Sequence, residues 1–351
     1  MSKNHKKYML IIAFSLRAIF IYAQLHTNQI DSLNLEEFPA SSISDVWLNL
    51  GTSYDGLPEQ IPLVIMKGSK QGPVLGITAA IHGNELNGVA IIHELRGLID
   101  LRQLSGTIVM VPGLNMEGMG SNSRYFIDGA DLNRLFPGKS NGNRSQQYVW
   151  HLDSKLLPSL DFLIDLHTAS FGRVNSFYVR AELDHPIMNQ MAQSFPADII
   201  LRSKGEASTA SQQQSAMTMR ASAMQKGIPS ITVECGDPQV YQLSMVQRGV
   251  TGIRNTMIQL DMLEGRISTF PEPIQCSKSY WIYTDHGGFL EIPASLNQKV
   301  RKGEVIGVLK DVFGLVIKTY YCPEDGIVIG KSTNPINRSG GRIIHLGLIE
   351  N

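Results

Sequence analysis

His82 and Glu85 stand three residues apart in Ile81-His82-Gly-Asn-Glu85, directly after the apolar stretch 74–80. Neutral imidazole and carboxylate suit Zn²⁺, and catalytic zinc sites commonly combine three protein ligands with an open position for water. A lone His-x-x-Glu pair is a weak signal. A third donor of the right type, His167, ends the apolar stretch Asp161-Phe-Leu-Ile-Asp165-Leu-His167. Another carboxylate, Glu234, ends Ile231-Thr-Val-Glu234. With His82, Glu85 and His167 holding zinc, a coordinated water loses its proton near neutral pH and a carbonyl oxygen is polarised. A carboxylate that is not a ligand then accepts the proton and passes it to a leaving amine, a role that suits Glu234.

The polar loop 121–138 adds cations and an amide, and such loops inside compact domains tend to be functional. Asn133 and Arg134 offer an amide donor and a bidentate fork for a substrate carboxylate. Arg124 is placed to stabilise a developing oxyanion. The alternative is that these arginines pair with Asp128 and Asp131 as loop scaffolding. Asp165 lies two residues before His167 on the same strand face, where it could hold the imidazole from behind. The role of Thr168 stays open. Arg173 and Arg180 are weaker candidates for a distal substrate group.

Each residue also has a plainer reading. A histidine at a strand end is more often hydrogen-bonded structure. Glu85 favours a helix first turn, and Glu234 could be an ion-paired carboxylate. Three strand ends with complementary residue types nevertheless point to one site. His93 falls at mid-helix, and His286 in a turn expected to face solvent. Cys235 has no evident activating base and reads as an inert buried thiol. Tyr280, Tyr283 and Tyr320 either pack or reach substrate.

The elements that must position these residues alternate. Strands are expected near 61–66, 74–81, 106–112, 161–167, 175–180 and 231–234. Helices are expected over 86–96, 143–157, 186–194, 211–226 and 245–263. Residues 25–60 read as polar and irregular with a short strand at 45–50, and 113–120 as a glycine-rich loop. This alternation predicts an α/β fold with a mixed, largely parallel sheet flanked by helices. Such sheets bind ligands at the carboxyl ends of their strands. After 269–273 helical periodicity stops and short strands split by Gly, Pro and Asp turns follow, giving a small all-β domain. The expected division is 25–273 catalytic and 274–351 β-barrel-like.

The chain has 351 residues, 43% hydrophobic and 18% charged, with formal net charge +0. That balance gives no electrostatic case for nucleic acid or an anionic membrane surface. Three cysteines exclude a disulfide framework, although one Cys276–Cys322 bridge remains open. A basic start, the apolar run 9–16 and a small residue before Gln24 read as a signal peptide over 1–24, interrupted by Arg17. Export is the favoured consequence, with a cytoplasmic enzyme carrying an apolar extension as the alternative. The run is too short and too charged for a stable membrane span.

Four motifs in order, His82-Gly-Asn-Glu85, Asp131-Leu-Asn-Arg134-Leu-Phe-Pro-Gly138, Asp165-Leu-His167-Thr and Gly227-Ile-Pro-Ser-Ile-Thr-Val-Glu234-Cys-Gly, resemble the succinylglutamate desuccinylase/aspartoacylase family. That family is similar in its core to the zinc carboxypeptidase clan, and the resemblance spans roughly 55–345. It implies one zinc on His82, Glu85 and His167, with Glu234 as general base and acid. It also implies Asn133 and Arg134 on a substrate carboxylate, and Arg124 polarising the scissile carbonyl. The C-terminal segment resembles the family's β domain, akin to a lipoyl-type barrel, which narrows the site entrance. The expected activity is zinc-dependent hydrolysis of a small anionic amide, an N-acyl amino acid or a relative of one. The alternatives are an exported metallocarboxypeptidase acting on peptides or peptidoglycan stems, and a metal-free protein that binds an anionic ligand. The oligomeric state stays open.

Overall fold

The computed structural model describes residues 28–53, 56–205 and 217–350. The leader read over 1–24 and the first part of the helix expected at 211–226 lie outside the described residues. Gln29–Ile30 (β1), Ser42–Thr52 (β2), Pro58–Lys67 (β3) and Lys70–Ala79 (β4) come first. Asn87–Leu98 (α1), Ser105–Val111 (β5), Met116–Gly120 (α2), Arg144–Lys155 (α3) and Phe162–His167 (β6) follow. Next are Arg173–Asn175 (β7), Phe177–Ala181 (β8), Pro186–Gln193 (α4), Ile199–Arg202 (β9), Met219–Gln225 (α5), Ser230–Cys235 (β10) and Leu243–Gln259 (α6). The C-terminal region holds Ile274–Tyr283 (β11), Gly288–Glu291 (β12), Lys299–Val300 (β13), Val305–Lys310 (β14), Val316–Tyr321 (β15), Gly326–Ser332 (β16), Ile336–Asn337 (β17) and Arg342–Ile349 (β18).

One 14-stranded sheet runs β1-β2-β3-β5-β4-β6-β10-β8-β9-β11-β18-β16-β13, with β7 attached to β16. Its centre, β5-β4-β6-β10, is parallel. A parallel centre must be covered on both faces, and it is. Ile77, Ile164 and Leu166 pack with Ile91 of α1 and Ile253 of α6 on one side. Leu163 packs with Val149 of α3 and Met219 of α5 on the other. Strand alternation therefore sends Asp165 and His167 to the α3–α5 face. A second, four-stranded sheet, β15-β14-β12-β17, is antiparallel and C-terminal. The α/β class and the β-rich C-terminal region both match the expectation.

Three local readings need correction. β3, read as a strand at 61–66, pairs antiparallel with β2, which extends well beyond the short strand read at 45–50. The signal of β2 is the alternation Val46, Leu48, Leu50, all buried, with partly or fully exposed residues between them. The loop read at 113–120 contains the single-turn α2, whose start is held by the Asn115 side chain accepting from Gly118 N at 2.8 Å. The strand β9 has only four residues, too few to show a period. The β-rich region is also not cut off from the catalytic sheet. β11 lies parallel to β9, so the large sheet continues into it. Cys276 and Cys322 are free thiols. Among the described residues no helix is long and apolar enough to cross a membrane.

Ile164 is fully buried in the strand that ends at His167. We expect Ile164→Ala to lower unfolding free energy by about 2–5 kcal/mol, from lost burial plus the cavity left behind. Urea denaturation of the two proteins measures it.

Candidate metal centre and active-site cavity

The three proposed ligands and Glu234 lie at or just past strand ends. β4 stops at Ala79, and Ala80 adopts a left-handed backbone, φ 55°, that turns the chain into His82. The Glu85 amide donates to the His82 carbonyl at 3.1 Å, so the two side chains share one tight turn. Gly83 is needed here, because a Cβ would overlap the Gly118 backbone of α2. His167 is the last residue of β6. In the parallel register of β6 with β10, His167 stands opposite Glu234.

The three proposed ligands converge. His82 Nδ1 and His167 Nδ1 each lie 2.9 Å from a different oxygen of Glu85. One donor atom from each residue lies within 4.8 Å of the others, all three side chains being buried. The His82 Nδ1 approach to Glu85 lacks hydrogen-bond geometry, so that nitrogen is buried without a hydrogen-bond partner. Buried polar atoms are nearly always satisfied, and an orphaned imidazole nitrogen beside two other donors fits a ligand aimed at a shared ion. The far ring nitrogens support the same reading. His82 Nε2 contacts Asp131 Oδ1 at 3.1 Å, and His167 Nε2 contacts Asp165 Oδ2 at 2.9 Å. Carboxylates behind metal-binding imidazoles commonly fix the tautomer and ring orientation in this way. Asp165 is held in turn by Thr78 Oγ1 at 2.8 Å.

Charge balance is the strongest electrostatic feature. Burial disfavours the charged form of Glu85, but His82 and His167 outweigh it and hold the carboxyl well below its usual range. Burial likewise opposes a charged His167, but Asp165 and Glu85 overcome it and push its pKa well above the usual imidazole value. Three carboxylates, Glu85, Asp131 and Asp165, thus surround two imidazoles and call for positive charge. Arg124 supplies one part, donating from Nη1 to Glu85 at 3.2 Å and from Nη2 to Asp131 at 2.9 Å. The expected scaffold role of Arg124, paired with Asp131, is therefore present, and it places the guanidinium at the metal-ligand cluster. Two imidazoles and a carboxylate with a negative surround are a donor set that fits Zn²⁺.

Every residue singled out from sequence as a ligand, base or substrate contact lines one cavity of about 600 Å³. Asn133 is oriented by its Oδ1, which accepts from Met219 N at 2.8 Å, leaving Nδ2 3.4 Å from His167 Nε2. Arg134 donates to the Asn133 carbonyl at 2.7 Å. Glu234 Oε2 accepts from Asn175 Nδ2 at 3.2 Å, and Arg180 Nε lies 3.7 Å from Oε1. Arg173, Arg180, Tyr280 and Tyr283 also line the cavity. His93 is exposed on α1, and His286 is exposed beside Asp285. Cys235 is buried, which pushes its thiol pKa up and leaves it inert. Tyr320 turns away to Asp285 at 2.8 Å.

Several contributors were not singled out. Ser170 bonds Glu85 and Arg124, and the Thr168 amide donates to Glu85 at 3.2 Å. Their proximity to His167 in sequence is the one available signal. Asn175 and Arg220 carried none. The C-terminal Trp281 and His345, stacked at 5.2 Å, reach the cavity only because the large sheet continues through β11 and β18.

The fold and the strand-end cluster define an α/β chain with a candidate metal centre at the carboxyl ends of its parallel strands. Residues 71–260 match the succinylglutamate desuccinylase/aspartoacylase catalytic domain, and the chain belongs to that family. It is similar to the N-alpha-acetyl-L-2,4-diaminobutyric acid deacetylase of Halomonas elongata, 24% identical over 317 residues covering 84% of this chain and 88% of that one. The fold is similar to a succinylglutamate desuccinylase/aspartoacylase from Rhodobacter sphaeroides, with TM-score 0.79, 22% identity and coverage of 92% and 100%. It is also similar to the product-bound ectoine utilization protein EutE (DoeB) of Ruegeria pomeroyi, with TM-score 0.77, 21% identity and coverage of 89% and 97%.

The Asp131 carboxyl is held well below its ordinary range. Burial opposes that shift, and His82 and Arg124 overcome it. A depressed carboxyl stabilises the fold fully above its unfolded pKa of about 3.9 and loses that contribution as pH falls below it. Asp131→Asn is therefore expected to destabilise metal-stripped protein more at pH 7 than at pH 3, as read by denaturant titration at both pH values.

Proposed function

We propose that the protein is a zinc-dependent deacylase that hydrolyses the acyl C–N bond of a small, anionic N-acyl amino acid. The observation that carries this reading is the convergence of His82, Glu85 and His167 donor atoms within 4.8 Å, with His82 Nδ1 buried 2.9 Å from Glu85 Oε1 but outside hydrogen-bond geometry. Zinc bound there supplies Lewis acidity for the acyl carbonyl and makes water nucleophilic near neutral pH. Glu234, across from His167 in the sheet register, accepts the proton of the attacking water. It then delivers that proton to the nitrogen as the C–N bond breaks, so the amine leaves neutral. Arg124 stands beside Glu85 on the cavity wall, where its charge favours the carbonyl oxygen as it gains negative charge. Asn133 Nδ2 and the Arg134 guanidinium take the substrate carboxylate and fix the amide relative to Glu234.

The charge of the cavity supports an anionic substrate. Glu85 and Glu234 are the carboxylates among its described lining residues, whereas Arg134, Arg173, Arg180 and Arg220 all line it. Arg220 is 4% exposed and donates to Ser203 Oγ at 2.7 Å and the Ser203 carbonyl at 3.1 Å, both neutral acceptors. Burial, with Arg180 nearby, brings its pKa down to about 10. A buried guanidinium with no carboxylate hydrogen-bonded to it among the described residues favours an incoming anion. The amine of diaminobutyrate, the substrate part named for the Halomonas relative, would meet these cations instead. We therefore favour an acidic amino-acid part over an amine-bearing one.

Two outcomes are expected. Metal analysis of protein purified without chelator gives about one zinc per chain. Glu234→Gln retains that zinc and loses turnover by at least about 10²–10⁴-fold, the usual worth of a general acid–base. An active Glu234→Gln protein, or absence of stoichiometric zinc, would overturn the mechanism. Across a panel of N-acyl amino acids and C-terminally free peptides, acidic N-acyl amino acids are expected to react at least about tenfold better than amine-bearing ones, a gap of 1.4 kcal/mol. Arg220→Gln is expected to shrink that gap. Hydrolysis of the peptides alone would favour the carboxypeptidase alternative.

A further inference from the structure

Glu234 belongs to the central sheet, but the group that holds one of its oxygens is itself held by the C-terminal strands. Asn175 Nδ2 donates to Glu234 Oε2 at 3.2 Å. Asn175 is 7% exposed and ends β7, a three-residue strand that among the described residues pairs with none of the parallel strands β5, β4, β6 and β10. β7 instead pairs antiparallel with β16, in the register Gly330↔Asn175, Lys331↔Val174 and Ser332↔Arg173. The pairing continues on both sides. The Ser176 amide and hydroxyl each donate to the Ile329 carbonyl at 2.9 Å, and the Thr333 amide donates to the Gly172 carbonyl at 2.9 Å. Gly330 makes the fit possible, because a Cβ there would overlap Asn175 Oδ1 and lie 3.0 Å from the Val174 carbonyl oxygen. A three-residue strand has little stability of its own, so its place depends on the partner strand.

We propose that Asn175 is a positioning residue for Glu234 and that β16, through Gly330, sets where Asn175 stands. The proposal rests on the reading of Glu234 as the proton-transferring carboxylate. With one oxygen held by Asn175 and the other beside Arg180, the carboxylate has few rotamers left and keeps its reach toward the water and the leaving nitrogen. On this account the β-rich region aims the base as well as walling the cavity. One Asn175 Nδ2 proton is engaged by Glu234, whereas the substrate carboxylate is assigned to Asn133 and Arg134, so the split between kcat and KM tells positioning from substrate binding.

The test uses full-length, zinc-loaded protein with five variants, Asn175→Ala, Asn175→Asp, Asn175→Ser, Gly330→Ala and Glu234→Gln, each measured for zinc content, melting temperature, kcat and KM. Asn175→Asp keeps the shape of the side chain and replaces the donor with a second carboxylate facing Glu234. A purely structural role would leave its kcat untouched. The expected result is a fall in kcat of about 10–100-fold in Asn175→Ala and Asn175→Asp, with zinc content kept and KM within about twofold of wild type. Gly330→Ala is expected to lower kcat in the same direction. Asn175→Ser, which restores a shorter donor, is expected to recover part of the loss relative to Asn175→Ala. Wild-type kcat in Asn175→Asp, or an effect confined to KM, would overturn the proposal. If Glu234→Gln itself stays active, the reading of the base fails. If Glu234→Gln is inactive while Asn175→Asp is fully active, only the positioning role fails.

Discussion

The buried carboxylate of Glu85 is the constraint around which the catalytic half is arranged. At 2% exposure it has lost its water, and an uncompensated buried charge costs several kcal/mol even after the surroundings relax. Its partners come from four places: His82 after β4, Arg124 from the long polar loop, His167 at the end of β6, and Thr168 with Ser170 just beyond. One charge therefore joins segments that share no helix and no hairpin. With both imidazoles neutral, as metal ligands must be, Arg124 alone does not offset Glu85 together with Asp131 and Asp165 behind the rings. A divalent ion at the convergence point would relieve both problems together.

The sheet is what makes that convergence possible. Parallel neighbours β4, β6 and β10 end on the same side, so residues far apart in sequence arrive within one cavity. Strand alternation chooses the face, and the β6–β10 register puts Glu234 level with His167. The turn from β4 is shaped by a left-handed Ala80 and a glycine that α2 approaches closely. These local irregularities sit at the site and not in the sheet interior, as expected where backbone strain is retained for function.

Much of this was legible before any coordinates. The apolar strands that end in His82, His167 and Glu234 carry their own punctuation, because a buried run that stops at a polar, ionisable residue has few structural explanations. Asn133 and Arg134 were legible as a pair of planar donors in a long polar loop. What stayed hidden depended on long-range pairing. Asn175 and Trp281 have ordinary sequence surroundings and acquire meaning only when β7 meets β16 and β11 meets β9. The full length of β2, read only as a short strand at 45–50, was missed for a different reason. Its alternation is plain at Val46, Leu48 and Leu50, but polar residues between them and Trp47 on the exposed face gave the stretch an irregular look.

The far wall of the cavity shows how the C-terminal region shapes the field felt by a ligand. His345 is buried, and burial together with Arg180, Arg173 and Arg342 holds its pKa well below the usual imidazole value. It is therefore neutral at physiological pH, stacked on Trp281 and bonded to Ser279 at 2.8 Å. Arg342 lies over the Trp281 and Tyr283 rings at 5.5 and 5.9 Å, and Arg173 lies over Trp281 at 6.0 Å. The aromatic faces steady these guanidiniums without cancelling their charge, as carboxylates would. A cleft with low-dielectric walls and uncancelled cations concentrates anions at its mouth. The chain as a whole has formal net charge +0, so this attraction arises from placement alone. Positive charge is gathered along the cavity and negative charge behind His82 and His167, a separation that, on the proposed function, favours an anionic amide entering with its carboxylate toward the arginines.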